Sequence, residues 1–387
     1  MKIAFFTDSY KPYTSGVVRS IDLFTKKLRE FGHQVFILAP DYPEARREEG
    51  LYRFPSLPAV THPSFRLAVP FSTRINNKIK EIEPDIIHTH SPFMMGLLAR
   101  YMADKLNVPL VFTYHTLYEK YAHYIPLGEE LIRSLALKYI INYCNKCDLL
   151  VTPSRFVNKK LNNMSIKTPK TTIPTGIDLE LYNEKKKGQI REEYDIDNEE
   201  KLFLFVGRLG KEKNIELLLK SFQRINQKYP QTTFLIVGDG PERDRLKEVS
   251  EKLDISKDVI FTGLVSYEEV ANYYLDCDIF FFASPTETQG IVILEAMAGG
   301  MPVITVDEAG AGLMVDQGVD GILVDNKEDE LVEAGLELIT NQDRYQSLAQ
   351  NALEKAEGYS MEKMTEKLIK MYEGIIQLGN SEERFLA

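Results

Sequence analysis

The sequence predicts an α/β protein of two doubly wound domains, each a parallel sheet covered on both faces, facing each other across a cleft. Three observations carry that prediction. Short, wholly apolar runs alternate with helix-length amphipathic segments through both halves of the chain. The length of 387 residues exceeds one ordinary core and suits two domains of roughly 150 to 200 each. A stretch rich in Pro, Gly and Lys, "SIKTPKTTIPTGIDLELYNEKKKGQ", separates the two series.

In the first half the apolar runs are "KIAFFT", "HQVFILA", "DIIHTH", "PLVFTYH" and "DLLVTPS". Segments such as "SIDLFTKKLREFGH" and "MMGLLARYMADKLN" lie between them and carry helical periodicity. The second half repeats the scheme with "KLFLFVG", "TTFLIVGD", "VIFTG", "IFFFAS", "MPVITVD" and "GILVD". Strands without polar alternation are buried on both faces, as crossover helices require. The expected domains are residues 1–172 and 173–369. The tail "SMEKMTEKLIKMYEGIIQ" reads as one or two amphipathic helices, with the last part, about 370–387, packing back on the first domain.

Composition narrows the class. Hydrophobic residues make up 44% and charged residues 27%, which describes a soluble globular protein rather than a disordered one. The start reads as a strand and not as a signal peptide, and no apolar run reaches the length of a spanning helix. Three cysteines without a secretion signal point to a reducing cytosol. The net charge of −10 is uneven. Residues 1–170 carry 24 Lys and Arg against 15 Asp and Glu, a net of +9, and the remainder holds 23 against 42, a net of −19. The first half is drawn to anionic surfaces, and the whole is not a nucleic-acid binder.

In open parallel sheets ligands bind beyond the carboxyl ends of the strands, so the chemistry is sought there. "SPTETQGIVILEAMAGGMPV" sets Glu287 and Glu295 eight positions apart around Gly290, between a strand and a helix. The helix start, Gly290, Ile291 and Val292, offers amides and a partial positive charge suited to phosphate. A glycine keeps the approach open. Glu287, outside the helix, can meet sugar hydroxyls, and Glu295, inside it, can accept from a ribose diol. Alone, the stretch equally describes an ordinary capped helix with an exposed glutamate. Arg208 and Lys213 follow another strand, where two cations can neutralise a diphosphate. Gly238 and Gly240 shape a third strand-to-helix turn, and the backbone of Leu264 or Val265 can face a nucleobase edge. In the first half, Gly16 precedes a helix, so that backbone can approach a donor phosphate, and His115 ends a strand facing the expected cleft.

Taken together, "DSYKPYTSGVV" through "EAMAGGMPV" resembles the nucleotide-sugar-dependent glycosyltransferases of the two-Rossmann (GT-B) type, in the retaining family marked by an E-x7-E motif. "DSYKPYTSGVVRSI", "HTHSPF" and "TYHTLYEKY" are similar to bacterial diacylglycerol glucosyltransferases, which add glucose from UDP-glucose to a membrane lipid. The resemblance implies that Glu287 and Glu295 hold donor sugar and ribose, and that Arg208 and Lys213 hold the diphosphate. It assigns Gly16 to the glycine loop and His115 to the side of the transferred sugar. Ser15-Gly16 departs from the two glycines many members carry. The implied chemistry is front-face substitution, with the departing diphosphate helping to deprotonate the acceptor. No cofactor is required for it, Mg2+ is at most a stimulant, and activity is expected to resist EDTA.

Other signals are set aside. Cys144 and Cys147 in "CNKC" read as core packing, and His88 and His90 as acceptor-side lining or structure, since no third metal ligand has suitable spacing. Asp195 with Asp197, and Asp276 with Asp278, mimic metal-binding pairs, but the first pair lies in a charged linker and the second caps a helix. Residues 65–82 are the expected contact with an anionic membrane surface. There Ile75, Ile79 and Ile82 share a helical face, with Arg66, Arg74, Lys78 and Lys80 as cations and Phe65, Leu67 and Phe71 nearby. The same isoleucines also suit packing on the sheet. These readings put the protein in the cytoplasm, peripheral on the inner face of the cell membrane. The alternatives are transfer to a soluble sugar or polysaccharide, a non-catalytic nucleotide-sugar binder, and a dinucleotide oxidoreductase. The intact site set argues against the second, and the lack of G-x-G-x-x-G after the first strand against the third.

Overall fold

The computed structural model describes residues 1–59, 65–70, 73–117, 129–183 and 187–380. The chain divides into two compact units, Met1–Gly176 with Met361–Ala387, and Ile177–Ser360. The division follows Gly176 rather than residue 172. The returning segment begins at Met361 rather than near 370, because one continuous helix starts there.

Along the chain run β1 (Lys2–Phe6), α1 (Gly16–Glu30), β2 (Gln34–Pro40), β3 (Leu51–Phe54), β4 (Ser56–Pro58), β5 (Arg66–Ala68) and α2 (Thr73–Ile82). Next come β6 (Ile86–Thr89), α3 (Met94–Leu106), β7 (Leu110–Thr113), α4 (Glu129–Cys144), β8 (Leu149–Thr152), α5 (Arg155–Asn162) and β9 (Lys170–Thr172). The second unit holds α6 (Glu180–Asn183), α7 (Gln189–Glu193), β10 (Lys201–Val206), α8 (Ile215–Lys228), β11 (Thr232–Val237), α9 (Arg243–Lys252), β12 (Val259–Gly263) and α10 (Tyr267–Asp276). It continues through β13 (Ile279–Phe282), α11 (Ile291–Ala298), β14 (Val303–Val306), α12 (Ala309–Gly312), β15 (Gly321–Val324), α13 (Glu328–Thr340) and α14 (Gln342–Gly358). The last helix, α15 (Met361–Asn380), packs on α1 of the first unit.

The first sheet has the order β3-β2-β1-β6-β7-β8-β9 and the second β12-β11-β10-β13-β14-β15, and every neighbouring pair in both is parallel. The uninterrupted apolar runs are the cause: each residue of "TTFLIV" in β11 and "IFFF" in β13 is buried, which only a doubly covered sheet allows. Phe203, Phe222, Phe234 and Phe281 form the aromatic centre of the second core, with ring centroids 5.4–6.0 Å apart. Strand order reverses about β1 in one unit and β10 in the other, so each has a switch point where chain ends splay and ligands can enter.

One glycine beside that point is sterically required. Gly238 has φ +132°, and a Cβ on it would stand 2.0 Å from the Gly207 carbonyl oxygen. Gly238→Ala is expected to destabilise the second unit by at least ~2 kcal/mol, through backbone strain and overpacking. Urea unfolding checks it. An unshifted midpoint would show that the loop relaxes freely.

In the segment expected to meet the membrane, the isoleucines take the packing alternative. Ile79 and Ile82 are buried and Ile75 packs partly buried against the same core, so the isoleucine face of α2 is already occupied by protein. Burial of a side chain of this size is worth about 1.5–3 kcal/mol, more than a surface helix gains by holding it out. Arg66 is likewise engaged, donating to Ser56 Oγ at 2.9 Å and to its carbonyl at 2.7 Å. Leu57, Leu67, Lys78 and Lys80 remain exposed. Phe71 lies outside the described residues, as does the side chain of Arg74. Among the described residues no helix is long and apolar enough to cross a membrane.

Candidate active site

In the second unit four strand-end loops are bound into one platform by backbone hydrogen bonds. Gly207 N–H donates to Val237 O at 3.0 Å and Leu209 N–H to Asp239 O at 3.0 Å, joining the loops after β10 and β11. Gly238 N–H donates to Gly263 O at 2.9 Å, adding the loop after β12. Ser284 Oγ donates to Glu212 O at 3.2 Å and brings in the loop after β13. Leu264 is 81% exposed and Val265 half-buried on the β12 loop. Such mutual bonding removes conformational freedom before any ligand arrives, which is what a preorganised polar site needs.

On this platform Lys213 ends a short 3₁₀ turn, Lys211–Lys213, and its Nζ donates to Glu287 Oε1. Both side chains are about one-fifth exposed, with 19% for each. Lys213 Nζ also sits 6.0 Å above the Phe282 ring. Arg208 is exposed on the same loop and forms no ion pair among the described residues. The structure therefore brings together Lys213 and Glu287, which were read separately from the sequence, and leaves Arg208 open. A diphosphate reaching Lys213 would compete with Glu287 for its protons, and the freed carboxylate would then accept from sugar hydroxyls.

Gly290 opens α11 at φ +77°, the left-handed region, and no side chain caps the helix start. Ile291 and Val292 are half-buried, and the first turn contains no acid. Glu295 is different. It is 1% exposed and accepts from the Tyr274 hydroxyl at 3.1 Å through Oε2, so its carboxylate lies beneath the helix surface. The sequence reading missed the loop that backs this corner. Gly310 N–H donates to Glu287 O at 2.8 Å, and a Cβ on Gly310 would lie 2.4 Å from the Thr288 carbonyl. The "EAGAG" repeat of small residues was the available signal.

In the first unit, Gly16 begins α1 with Ser15 as N-cap, its Oγ accepting from Val18 N–H at 3.3 Å. A Cβ at Gly16 would touch nothing within 4 Å, so no neighbour among the described residues explains the glycine. His115 follows β7 and joins a chain of rings. His90 Nδ1 lies 2.9 Å from His115 Nε2, and the His90 ring stacks on His88 at 4.5 Å. His88 bonds Tyr372 Oη at 2.5 Å and Thr113 Oγ1 at 2.6 Å. Burial favours the neutral imidazole, lowering His88 and His115 to about 3 and His90 well below its ordinary value. These rings border a cavity of about 10 Å³, with Ser20 and Thr175 on its wall, room for one water. His90 Nε2 has no partner among the described residues. Tyr372 carried no local signal, for it lies 284 residues from His88.

The set-aside motifs have structural uses. Asp276 accepts from Gly188 N–H at 2.5 Å and Ile190 N–H at 2.7 Å, capping α7, and Asp278 pairs with Arg191 at 3.0 Å. Cys144, Cys147 and Cys277 are buried free thiols, and burial raises Cys144 to about 12. Among the described residues no three His, Cys, Asp or Glu are grouped to hold a metal ion.

Both halves match glycosyltransferase families: residues 186–355 fit the "Glycosyl transferases group 1" model and residues 14–181 the "Glycosyltransferase Family 4" model. An alpha-monoglucosyldiacylglycerol synthase from Streptococcus pneumoniae is 37% identical over 313 residues, 79% of this chain and 70% of that one. A protein of the same name from Acholeplasma laidlawii is 29% identical over 98% of both chains. A GDP-mannose-dependent alpha-mannosyltransferase of Corynebacterium glutamicum is 28% identical over 98% of this chain and 90% of its own. Among solved structures, Anabaena HepE in complex with UDP and glucose superposes with a TM-score of 0.76 at 20% identity, over 97% of this chain and 100% of that one. WaaG, a glycosyltransferase of lipopolysaccharide biosynthesis, gives 0.73 at 18% identity, over 96% and 100%. The fold is that of GT-B glycosyltransferases. The chain belongs to the group 1 glycosyl transferases and is similar to the alpha-monoglucosyldiacylglycerol synthases.

Proposed function

We propose that the protein transfers glucose from UDP-glucose to a membrane lipid, diacylglycerol in the first instance, with retention at the anomeric carbon. The 37% likeness to an alpha-monoglucosyldiacylglycerol synthase over 79% of the chain carries this reading. The retaining part of the reading is supported by the relatives' names, which specify α products, since the glucosyl bond of UDP-glucose is itself α. Arg208 and Lys213 neutralise the departing diphosphate, helped by the amides at Gly290, Ile291 and Val292. Glu287 orients the sugar hydroxyls once the diphosphate has taken Lys213 from it. Glu295 keeps the ribose, and Gly238, Leu264 and Val265 shape the nucleotide end. Gly16 leaves room for the donor phosphate, and His115 keeps the place beside the transferred sugar that the resemblance implies. Leu67, Lys78 and Lys80 of residues 65–82 hold the enzyme peripherally at an anionic inner leaflet.

The test is incubation with radiolabelled UDP-glucose and diacylglycerol in mixed vesicles, with UDP-galactose and GDP-mannose as parallel donors. Label is expected in the lipid phase from UDP-glucose, and it is expected to persist in EDTA. Transfer from GDP-mannose alone would favour the second reading, a mannosyltransferase, which the Corynebacterium glutamicum relative supports. Label only in a soluble saccharide would overturn the lipid acceptor.

A further inference from the structure

The outer side of α3 is apolar where it meets solvent. Phe93, at the N-cap, is 47% exposed, Leu97 45% and Tyr101 54%. Four residues apart, they form one stripe along the helix. It continues onto α4: the Phe93 ring stacks on Tyr139 at 6.3 Å with an interplanar angle of 6°, and Leu135, one turn before Tyr139, is 57% exposed. Single exposed apolar side chains need no explanation, but a contiguous run of them marks a contact surface. The inner side of α3 is already satisfied by Met95, Leu98, Ala99 and Met102 in the core, so the outer stripe is not required for folding.

Charge indicates what covers it. Lys105 ends the stripe, donating to Tyr101 Oη at 3.1 Å with its Nζ 5.3 Å from that ring. The side chain of Lys80, from α2, lies beside Lys105. The acid on this face, Asp104, stands 3.9 Å from Arg100. An aromatic and aliphatic stripe ending in adjacent lysines has the composition of a surface that dips into lipid headgroups, with aromatic rings at the boundary and cations against phosphate.

We propose that the outer face of α3, extended by Leu135, is a second membrane-contact surface that seats on anionic lipid. The inference rests on the lipid-acceptor reading. It differs from the assignment of residues 65–82, whose isoleucines are committed to the core. It gives the first unit an apolar anchor that α2 lacks, beside Lys80, which α2 exposes.

The test is co-sedimentation of the whole protein, without donor, with vesicles of equal parts phosphatidylcholine and phosphatidylglycerol, and with phosphatidylcholine alone. The double variant Leu97→Glu, Tyr101→Glu is expected to lose roughly tenfold in partitioning onto the anionic vesicles. Lys105→Glu is expected to lose binding to those vesicles and leave the weak binding to phosphatidylcholine unchanged. Melting temperatures and UDP affinity are expected to match the parent, as the substituted groups are exposed and remote in sequence from the strand ends that carry the donor site. Leu97→Ser serves should the double variant misfold. Undiminished sedimentation of the variants overturns the proposal. So does a parent dimer, seen by light scattering, that the double variant dissociates, since the stripe would then be a self-interface. Failure of the enzymatic reading shows separately, as absence of lipid glucosylation by a parent that still sediments.

Discussion

Lys213→Ala is expected to lower kcat with UDP-glucose by at least ~10²-fold, about 2.7 kcal/mol of lost transition-state stabilisation. In the proposed reaction negative charge grows on the departing diphosphate as the glycosyl bond breaks, and Lys213 stands on a loop already bound to its neighbours, so no reorganisation would be needed to meet it. Arg208→Ala is expected to fall by a similar factor, since its exposed guanidinium is the second cation on the same loop. The two are separable by their effect on the free protein. Lys213→Ala leaves Glu287 without its cation, with the carboxylate only 19% exposed, so a lowered melting temperature accompanies it. Arg208→Ala removes no internal bond among the described residues and leaves stability unchanged. Rapid-quench turnover and calorimetric UDP binding read both. Near-parental rates in both variants would remove diphosphate neutralisation from the mechanism.

Acidification is expected to destabilise the first unit, through three buried histidines that the fold keeps neutral. His88 is 2% exposed, and burial holds it neutral down to about pH 3, against an ordinary value near 6.5. Below 6.5 the unfolded chain takes up a proton that the folded chain refuses. Stability therefore falls as pH drops, and the loss stops growing only near 3. At pH 5 His88 alone costs about 2 kcal/mol. His90 and His115 act in the same direction. Melting temperature between pH 7.5 and 5 checks the effect, and His88→Asn is expected to flatten the slope. A pH-independent melting temperature over that range would mean that the rings are hydrated.

Much of this protein is readable along the chain because the governing interactions are local or periodic. "TTFLIV" and "IFFF" are strands buried on both faces, as a helix-covered parallel sheet requires. Gly290 and the acids around it could be found because a strand-turn-helix leaves its mark within a dozen residues. Position at a strand end was enough to select Arg208, Lys213 and His115 as candidates.

Pairings between distant segments could not be read this way. Lys213 and Glu287 bond across 74 positions, and His88 and Tyr372 across 284, distances over which neither residue influences the other's local propensity. The isoleucines of α2 had the spacing of a lipid-facing helix and of a core-facing one, and only packing distinguishes the two. The same holds for Glu295, whose spacing from Glu287 is local but whose burial beneath Tyr274 is not. Periodicity and turn chemistry, acting within a few residues, determined which elements form and where their reactive ends lie. Tertiary structure decided which side chains meet, because burial and ion pairing depend on neighbours that the chain brings together only after it has folded.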